Sequence, residues 1–201
     1  MFTSLILGAG KSTRMKANKS KLLFNIAGKP VINHIISSLK EAKAKDNLCV
    51  INKNSVEIKK ILDSEKVSHV YQTVLNGTAG AVKAALKKKP VSNNKLLILC
   101  GDIPFIKSTS IKRIINKLKT YDAVVGTVEI DSPKGYGRII RENNKFKSII
   151  EEKETTALQR QIKEVNTGII AIHEKVLREY ISQIKNNNQK KEYYLTDIIK
   201  I

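Results

Sequence analysis

Leu96-Leu97-Ile98-Leu99-Cys100-Gly101-Asp102 is an unbroken apolar run of strand length, closed by a glycine and a carboxylate. A strand with one wet face alternates polar and apolar residues, whereas a strand covered on both faces reads as a continuous run. Outward from this stretch the pattern repeats. Residues 5–7, 48–51 and 67–72 are further short apolar runs, separated by stretches of helical period. Residues 30–42 open with Pro30, which suits the start of a helix, and put Ile32, Ile35, Ile36 and Leu39 on one face. Residues 56–62, the alanine-rich 78–86 and 108–119 also read as helices, and 122–128 as a strand. Strand and helix in alternation mean crossover connections, hence a mostly parallel sheet with helices on both sides, a three-layer α/β/α fold.

The second half changes rhythm. Residues 138–141 and 146–151 flank the polar turn Glu142-Asn143-Asn144-Lys145 and predict a hairpin. Residues 165–172 predict a strand, and 174–184 and 193–200 predict helices. No internal repeat and no domain-separating linker interrupts residues 1–201, so one domain is expected.

Composition narrows the function classes. No window approaches 18 consecutive apolar residues, so no membrane helix is expected. The N-terminal MFTSLILGAGKSTRM has its basic residues after the apolar run, the reverse of a secretory signal. Cys49 and Cys100 sit in apolar runs and form no disulfide framework, which points to reduced thiols in a cytoplasmic protein. The net charge of +19 invites a nucleic-acid reading. Against it, the basic residues are spread along the chain and are mostly lysine, and aromatics are 5% with no Trp, so a base-stacking platform is poorly supplied. Nucleic acid is therefore not the expected partner, but the field would attract polyphosphate substrates.

The first chemical motif is Leu7-Gly8-Ala9-Gly10-Lys11-Ser12-Thr13-Arg14-Met15, at the end of the first strand. Ligands of open α/β sheets bind at the carboxyl ends of strands, and small residues let backbone N–H groups approach phosphate oxygens. The dinucleotide fingerprint fails because Thr13 stands where a third Gly is needed. The Walker A loop fails because Leu5 stands where its first Gly is needed. What remains is a phosphate-cradling loop carrying Lys11 and Arg14. The second motif, Lys21-Leu22-Leu23 followed by Ala27-Gly28-Lys29-Pro30, offers a lysine that can fold back onto that loop. His34, on an amphipathic helix, reads as structural or exposed, and His69 and His173 form no metal spacing with the cysteines.

Together these segments resemble the sugar-1-phosphate nucleotidyltransferases, whose signature is LAAGxGTRM…PKxLxxxxGKP. Gln72 and Gly77-Thr78-Ala79-Gly80-Ala81 resemble that family's base-reading Gln and LGTxxA segment. Cys100-Gly101-Asp102-Ile103-Pro104 resembles YGDxPL. Gly135-Tyr136-Gly137-Arg138-Ile139 with Ile150-Glu151-Glu152-Lys153, then Glu164-Val165-Asn166-Thr167-Gly168-Ile169, then Glu192-Tyr193-Tyr194-Leu195-Thr196-Asp197-Ile198 resemble GYGRI…VExKD, EINTGI and EYYLTDI. These last segments are similar to the bacterial N-acetylglucosamine-1-phosphate uridylyltransferases, usually the N-terminal half of a bifunctional enzyme.

The resemblance implies a Rossmann-like fold with a small β-rich subdomain for the sugar. It also implies transfer of UMP from UTP to N-acetylglucosamine 1-phosphate for cell-envelope precursors. Arg14 and Lys21 would act on the phosphates, and Asp102 would hold Mg2+. Leu7, Gly8, Ala9, Gly10, Gln72, Gly77, Thr78, Cys100 and Gly101 would contact the nucleotide, and Gly137, Glu151 and Asn166 the sugar. The residue types suit these roles: an amide offers the donor and acceptor that a uracil edge requires, and a carboxylate accepts from hydroxyls.

This chain departs from the pattern at Ser20, where the family has Pro, at Ala79-Gly80, where this branch has Gly-His, and at Cys100, where Tyr is usual. GTAGA occurs in nucleotidyltransferases for other sugars, so that alternative stays open, as does a protein that binds UDP-sugars with weak turnover. The second implies-by-resemblance metal ligand, an Asn beyond the last helix, and the hexapeptide repeats of a left-handed β-helix have no counterpart in these residues. A C-terminally short domain is the expectation.

Overall fold

A computed structural model describes residues 1–10, 19–88 and 94–201 of the chain. Its centre is a sheet in the order β5-β4-β1-β6-β10-β8-β9, with β7 also paired to β10. Strands β1 (Thr3–Leu7), β4 (Asp46–Ile51), β5 (Ser68–Tyr71) and β6 (Lys95–Cys100) are mutually parallel. Between β1 and β4 come the two-residue strands β2 (Asn25–Ile26) and β3 (Lys29–Pro30), a tight hairpin that leads into α1 (Val31–Glu41). Helices α2 (Val56–Ser64), α3 (Thr78–Lys88) and α4 (Ser108–Lys117) make the remaining connections of this half.

The three layers follow from alternation within apolar runs. Ile6, Cys49, Ile51, Leu97 and Leu99 point to one face and pack with Ile32, Ile35, Ile36 and Leu39 of α1, Ile58 and Leu62 of α2, and Ile111 and Ile115 of α4. Their chain neighbours Leu5, Leu48, Val50, Leu96 and Ile98 point the other way, onto Ala81, Val82 and Ala85 of α3 and Leu177 of the helix Glu174–Tyr180. Each fully buried Ile or Leu contributes about 1.5–3 kcal/mol of transfer free energy, so a polar residue in any of these runs would open one layer to water.

The second half is antiparallel. Strand β10 (Glu164–His173) lies against β6 with Ile169 opposite Leu99 and His173 opposite Lys95. Because β10 runs the other way, its first residues project past the carboxyl ends of the parallel strands. There they carry β7 (Ala123–Glu129) on one side and the hairpin β8 (Arg138–Glu142) and β9 (Lys145–Ile150) on the other. This is the small β-rich subdomain. The register of β10 against β7 shifts between Asn166 and Ile170. Gly168 in that irregularity has φ +77, and a Cβ there would stand 2.9 Å from Cys100 Sγ, so glycine is needed on both counts.

Two expected helices differ. The helix expected over 174–184 gives way after Tyr180 to a 3-10 turn, Ile181–Gln183. The helix expected over 193–200 is a 3-10 turn, Leu195–Lys200. Its lead-in residue Tyr193 already donates its N–H to the Asn76 carbonyl and accepts from Ala79 N–H, so the backbone there is committed to α3 and cannot begin a helix of its own. His34 and His173 are structural, with Nε2 against the carbonyls of Ile26 at 2.7 Å and Leu118 at 2.9 Å.

Candidate active site

The carboxyl ends of the parallel strands and the start of β10 form one continuous edge. Along it lie Gln72 after β5, Leu7-Gly8-Ala9-Gly10 after β1, Cys100-Gly101-Asp102 closing β6, Asn166 on β10, Gly137 before β8 and Glu151 after β9. From β5 to β10 is four strand spacings, about 19 Å. Lys11 and Arg14 of the glycine loop lie outside the described residues.

The centre is built on Leu22. This buried side chain sits between two glycines: a Cβ on Gly8 would stand 2.6 Å from its Cδ1, and one on Gly101 2.5 Å from its Cδ2. Both glycines also commit their N–H groups to the sheet, Gly8 to Val50 O at 2.8 Å and Gly101 to Leu7 O at 3.0 Å. A Cβ on Gly10, by contrast, would meet nothing within 4 Å among the described residues. Wedging Leu22 here carries its neighbour Lys21 to Asp102, Nζ to Oδ2 2.5 Å. The Ser20 hydroxyl accepts from Leu22 N–H and caps the short turn Lys21–Leu23, so the residue standing in place of the resembled proline holds that turn.

Cys100 lies at the meeting point. Burial pushes its thiol up to about 11, the charges of Asp102 and Glu151 add to that, and Lys21 opposes it. The thiol is protonated at neutral pH and is no nucleophile.

On the β-rich side, Asn166 N–H donates to Gly137 O at 2.8 Å, and Asn166 Oδ1 accepts from Gly168 N–H at 3.0 Å. That leaves the Nδ2 donor of Asn166 without a partner among the described residues. The buried Gly137 is followed by Arg138, 1% exposed, whose guanidinium donates to the carbonyls of Tyr136 and Arg160 and pairs with Glu152 at 2.8 Å. Burial of Glu152 works against its ionisation, but the Gly135 N–H and the Arg138 guanidinium together hold its carboxyl below the ordinary value. Arg138 and Thr196 stand within segments that carry the resemblance but have no role there, and Asn76 stands in none; a buried arginine or a through-space hydrogen bond leaves no mark in a local pattern.

Glu151 is largely removed from water, and burial pushes its carboxyl up, partly offset by the Thr196 hydroxyl, which donates to Oε1 at 3.2 Å. A raised carboxyl costs stability as pH rises from the ordinary value through the raised one, and costs nothing below both. Glu151→Gln removes the charge and keeps the Oε1 acceptor. Scanning calorimetry is expected to give equal melting temperatures at about pH 4 and a variant more stable by a few degrees at about pH 8. A variant less stable at the higher pH would mean that the carboxylate is well solvated.

On the other flank, Gln72 is buried with its N–H bonded to Ile51 O, and Gly77 and Thr78 open α3. The Thr78 hydroxyl accepts from Leu195 N–H at 2.8 Å. The segment 193–196 thus touches both flanks, α3 through Tyr193 and Leu195 and Glu151 through Thr196.

A family model described as the MobA-like NTP transferase domain matches residues 4–167. The bifunctional protein GlmU of Acinetobacter baylyi is 36% identical over 197 residues, 98% of this chain and 43% of the relative. That of Francisella tularensis subsp. novicida is 39% identical, over 97% of this chain and 43% of its own length. The chain therefore spans less than half the length of these curated relatives. Among solved structures, a UDP-glucose pyrophosphorylase complexed with UDP-glucose superposes with TM-score 0.81 at 18% identity, over 100% of this chain and 86% of that one. A putative glucose-1-phosphate thymidylyltransferase from Bacillus anthracis gives 0.79 at 23% identity, over 98% and 81%. These likenesses share the fold, and the sequence match goes further: the chain belongs to the MobA-like NTP transferase family of nucleotidyltransferases.

Proposed function

We propose that the chain transfers a uridylyl group from UTP to N-acetylglucosamine 1-phosphate, forming UDP-N-acetylglucosamine and pyrophosphate. The observation that carries this reading is the order of groups along one sheet edge. An amide for a base stands at one end, a Lys–Asp pair at the centre, and an Asn donor and a Glu acceptor for sugar hydroxyls at the other. An oxygen of the sugar phosphate attacks the α-phosphorus of UTP in line. The bond from that phosphorus to the bridging oxygen breaks, and pyrophosphate leaves with the electron pair. No covalent nucleophile is needed. Alignment of two bound reactants can supply about 7–11 kcal/mol, so the side chains need to position and neutralise. Lys21 and Arg14 neutralise phosphate charge, Gln72 meets the base, and Glu151, Asn166 and Gly137 hold the sugar and its N-acetyl group.

Asp102 is where a Mg2+ would be held. Among the described residues no group of three or more His, Cys, Asp or Glu forms a protein cage for an ion. The donor chemistry still fits: one half-exposed carboxylate suits a hard ion that keeps several waters and takes further oxygens from phosphate. Bound there, the ion would supply charge neutralisation on the phosphates. No helix among the described residues is long and apolar enough to cross a membrane.

A second reading, the same transfer to a different sugar 1-phosphate, is favoured by Ala79-Gly80. Pyrophosphate release from UTP with a panel of sugar 1-phosphates separates the two. The first reading expects N-acetylglucosamine 1-phosphate to exceed glucose 1-phosphate in kcat/KM by at least about tenfold. A preference for another sugar selects the second. In the same assay, Gln72→Ala is expected to raise KM for UTP about tenfold and to narrow the UTP-to-CTP preference, with kcat little changed. An unchanged preference would mean that another group reads the base.

A further inference from the structure

The side-chain nitrogen of Gln72 is fully committed to the protein. Nε2 donates to the Gly77 carbonyl at 3.2 Å and to Asn76 Oδ1 at 3.3 Å. A backbone carbonyl can only accept, so the amide end facing Gly77 must be the NH2 group. That group has two hydrogens, and both are placed. The carbonyl oxygen Oε1 has no protein partner among the described residues.

Asn76 reaches Gln72 through a gap left by Gly80 in the first turn of α3. A Cβ on Gly80 would stand 1.8 Å from Asn76 Oδ1 and 3.2 Å from Gln72 Nε2. Any other residue at position 80 would expel the Asn76 amide. Asn76 and Gly80 are therefore a matched pair: the asparagine fills the space that the glycine leaves, and both stand behind the glutamine.

Resting on the reading of Gln72 as the base-contacting residue, we propose that Asn76, seated in the gap left by Gly80, fixes the Gln72 amide with its oxygen outward. The site then selects a pyrimidine carrying N–H at ring position 3, uracil or thymine, over cytosine. A uracil N3–H donates to Oε1. Cytosine presents a lone pair at the same place, so two acceptors face one another and neither is satisfied. Asn76 is a positioning residue, acting through Gln72 without touching the nucleotide. It would also hold the glutamine against rotation. With the Asn76 acceptor removed, only the Gly77 carbonyl still holds the NH2 group, and turning the amide to suit cytosine costs one hydrogen bond less.

Titration calorimetry on the full chain with Mg2+, using UTP, CTP and 3-methyl-UTP as probes, tests this. The unaltered protein is expected to bind UTP at least about tenfold more tightly than either of the others. Asn76→Ala lowers the UTP-to-CTP ratio by about fivefold, the scale of one net hydrogen bond. Asn76→Asp keeps an acceptor at Oδ1 and restores the ratio, because its charge weakens both nucleotides alike. Gly80→Ala displaces the amide and lowers the ratio, but has no further effect on the ratio in an Asn76→Ala background, where nothing remains to be displaced. A merely structural role for Asn76 would move the melting temperature and both affinities together and leave the ratio alone. The proposal is overturned by an Asn76→Ala ratio equal to that of the unaltered protein, or by 3-methyl-UTP binding as tightly as UTP. Failure of the underlying functional reading looks different: the unaltered protein then binds none of the three nucleotides, and the proposal falls with it.

Discussion

Asp102→Asn is expected to lower Mg2+-dependent pyrophosphate release by on the order of 1000-fold while leaving the melting temperature within about 2 °C of the unaltered protein. The two halves of that expectation have separate causes. Asp102 is exposed at the end of β6 and paired to Lys21 with side chains 45% and 33% accessible. An ion pair that wet contributes roughly 0–1 kcal/mol to folding, and the layers beneath it do not depend on it. Turnover is expected to depend on it, because an amide retains an oxygen but not the charge that would favour a hard divalent ion beside the phosphates. Nucleotide affinity measured without metal should change little, since Lys21 remains to meet the phosphates. A variant with more than about a tenth of the original rate would remove Asp102 from the reacting centre.

The parts of this site that could be read in the sequence are those whose cause is local. The runs 5–7, 48–51 and 96–100 are apolar on both faces because helices cover both, and each is followed by a turn or small residue where the chain leaves the sheet. That places Gly8, Gly101 and Asp102 on one edge from pattern alone, and the structure has them there. The parts that were not legible depend on residues far apart in the chain. Nothing near residue 166 announces that β10 runs antiparallel from β8 to β6, although that course brings Asn166 and Glu151 to the edge. Leu22 looks like one more core leucine until Gly8 and Gly101 are found on either side of it. The period of residues 193–200 is helical, but the Tyr193 backbone is already engaged with Asn76 and Ala79, and that engagement prevailed over the period. Arg138 is written like any strand-edge arginine and is among the most buried side chains in the protein.

That burial underlies the other large effect. Arg138→Met keeps the length and apolar contact of the side chain but removes its charge and donors. It leaves the carbonyls of Tyr136 and Arg160 without their bond and Glu152 with the Gly135 N–H alone. Breaking a fully buried pair on one side costs about 3–5 kcal/mol, but Glu152 is still 28% accessible and regains some hydration, so about 2–3 kcal/mol is the better expectation. In a domain of this size that lowers the melting temperature by about 5–10 °C. Arg138→Lys should recover little, because one ammonium cannot present the planar fork that meets two carbonyls and a carboxylate at once. The loss should also be regional. Arg138 pins the loop 135–137, whose Gly137 carbonyl takes the Asn166 N–H, so sugar 1-phosphate affinity should fall about tenfold in a folded sample below the melting transition. Gln72 stands at the far end of the edge, beyond β1 and β6, and UTP affinity should stay within about twofold, as expected for sites with no shared partner. Calorimetry with each substrate separately reads both quantities. Equal losses for UTP and the sugar 1-phosphate would mean that the guanidinium supports the whole domain and has no particular bearing on the β-rich flank.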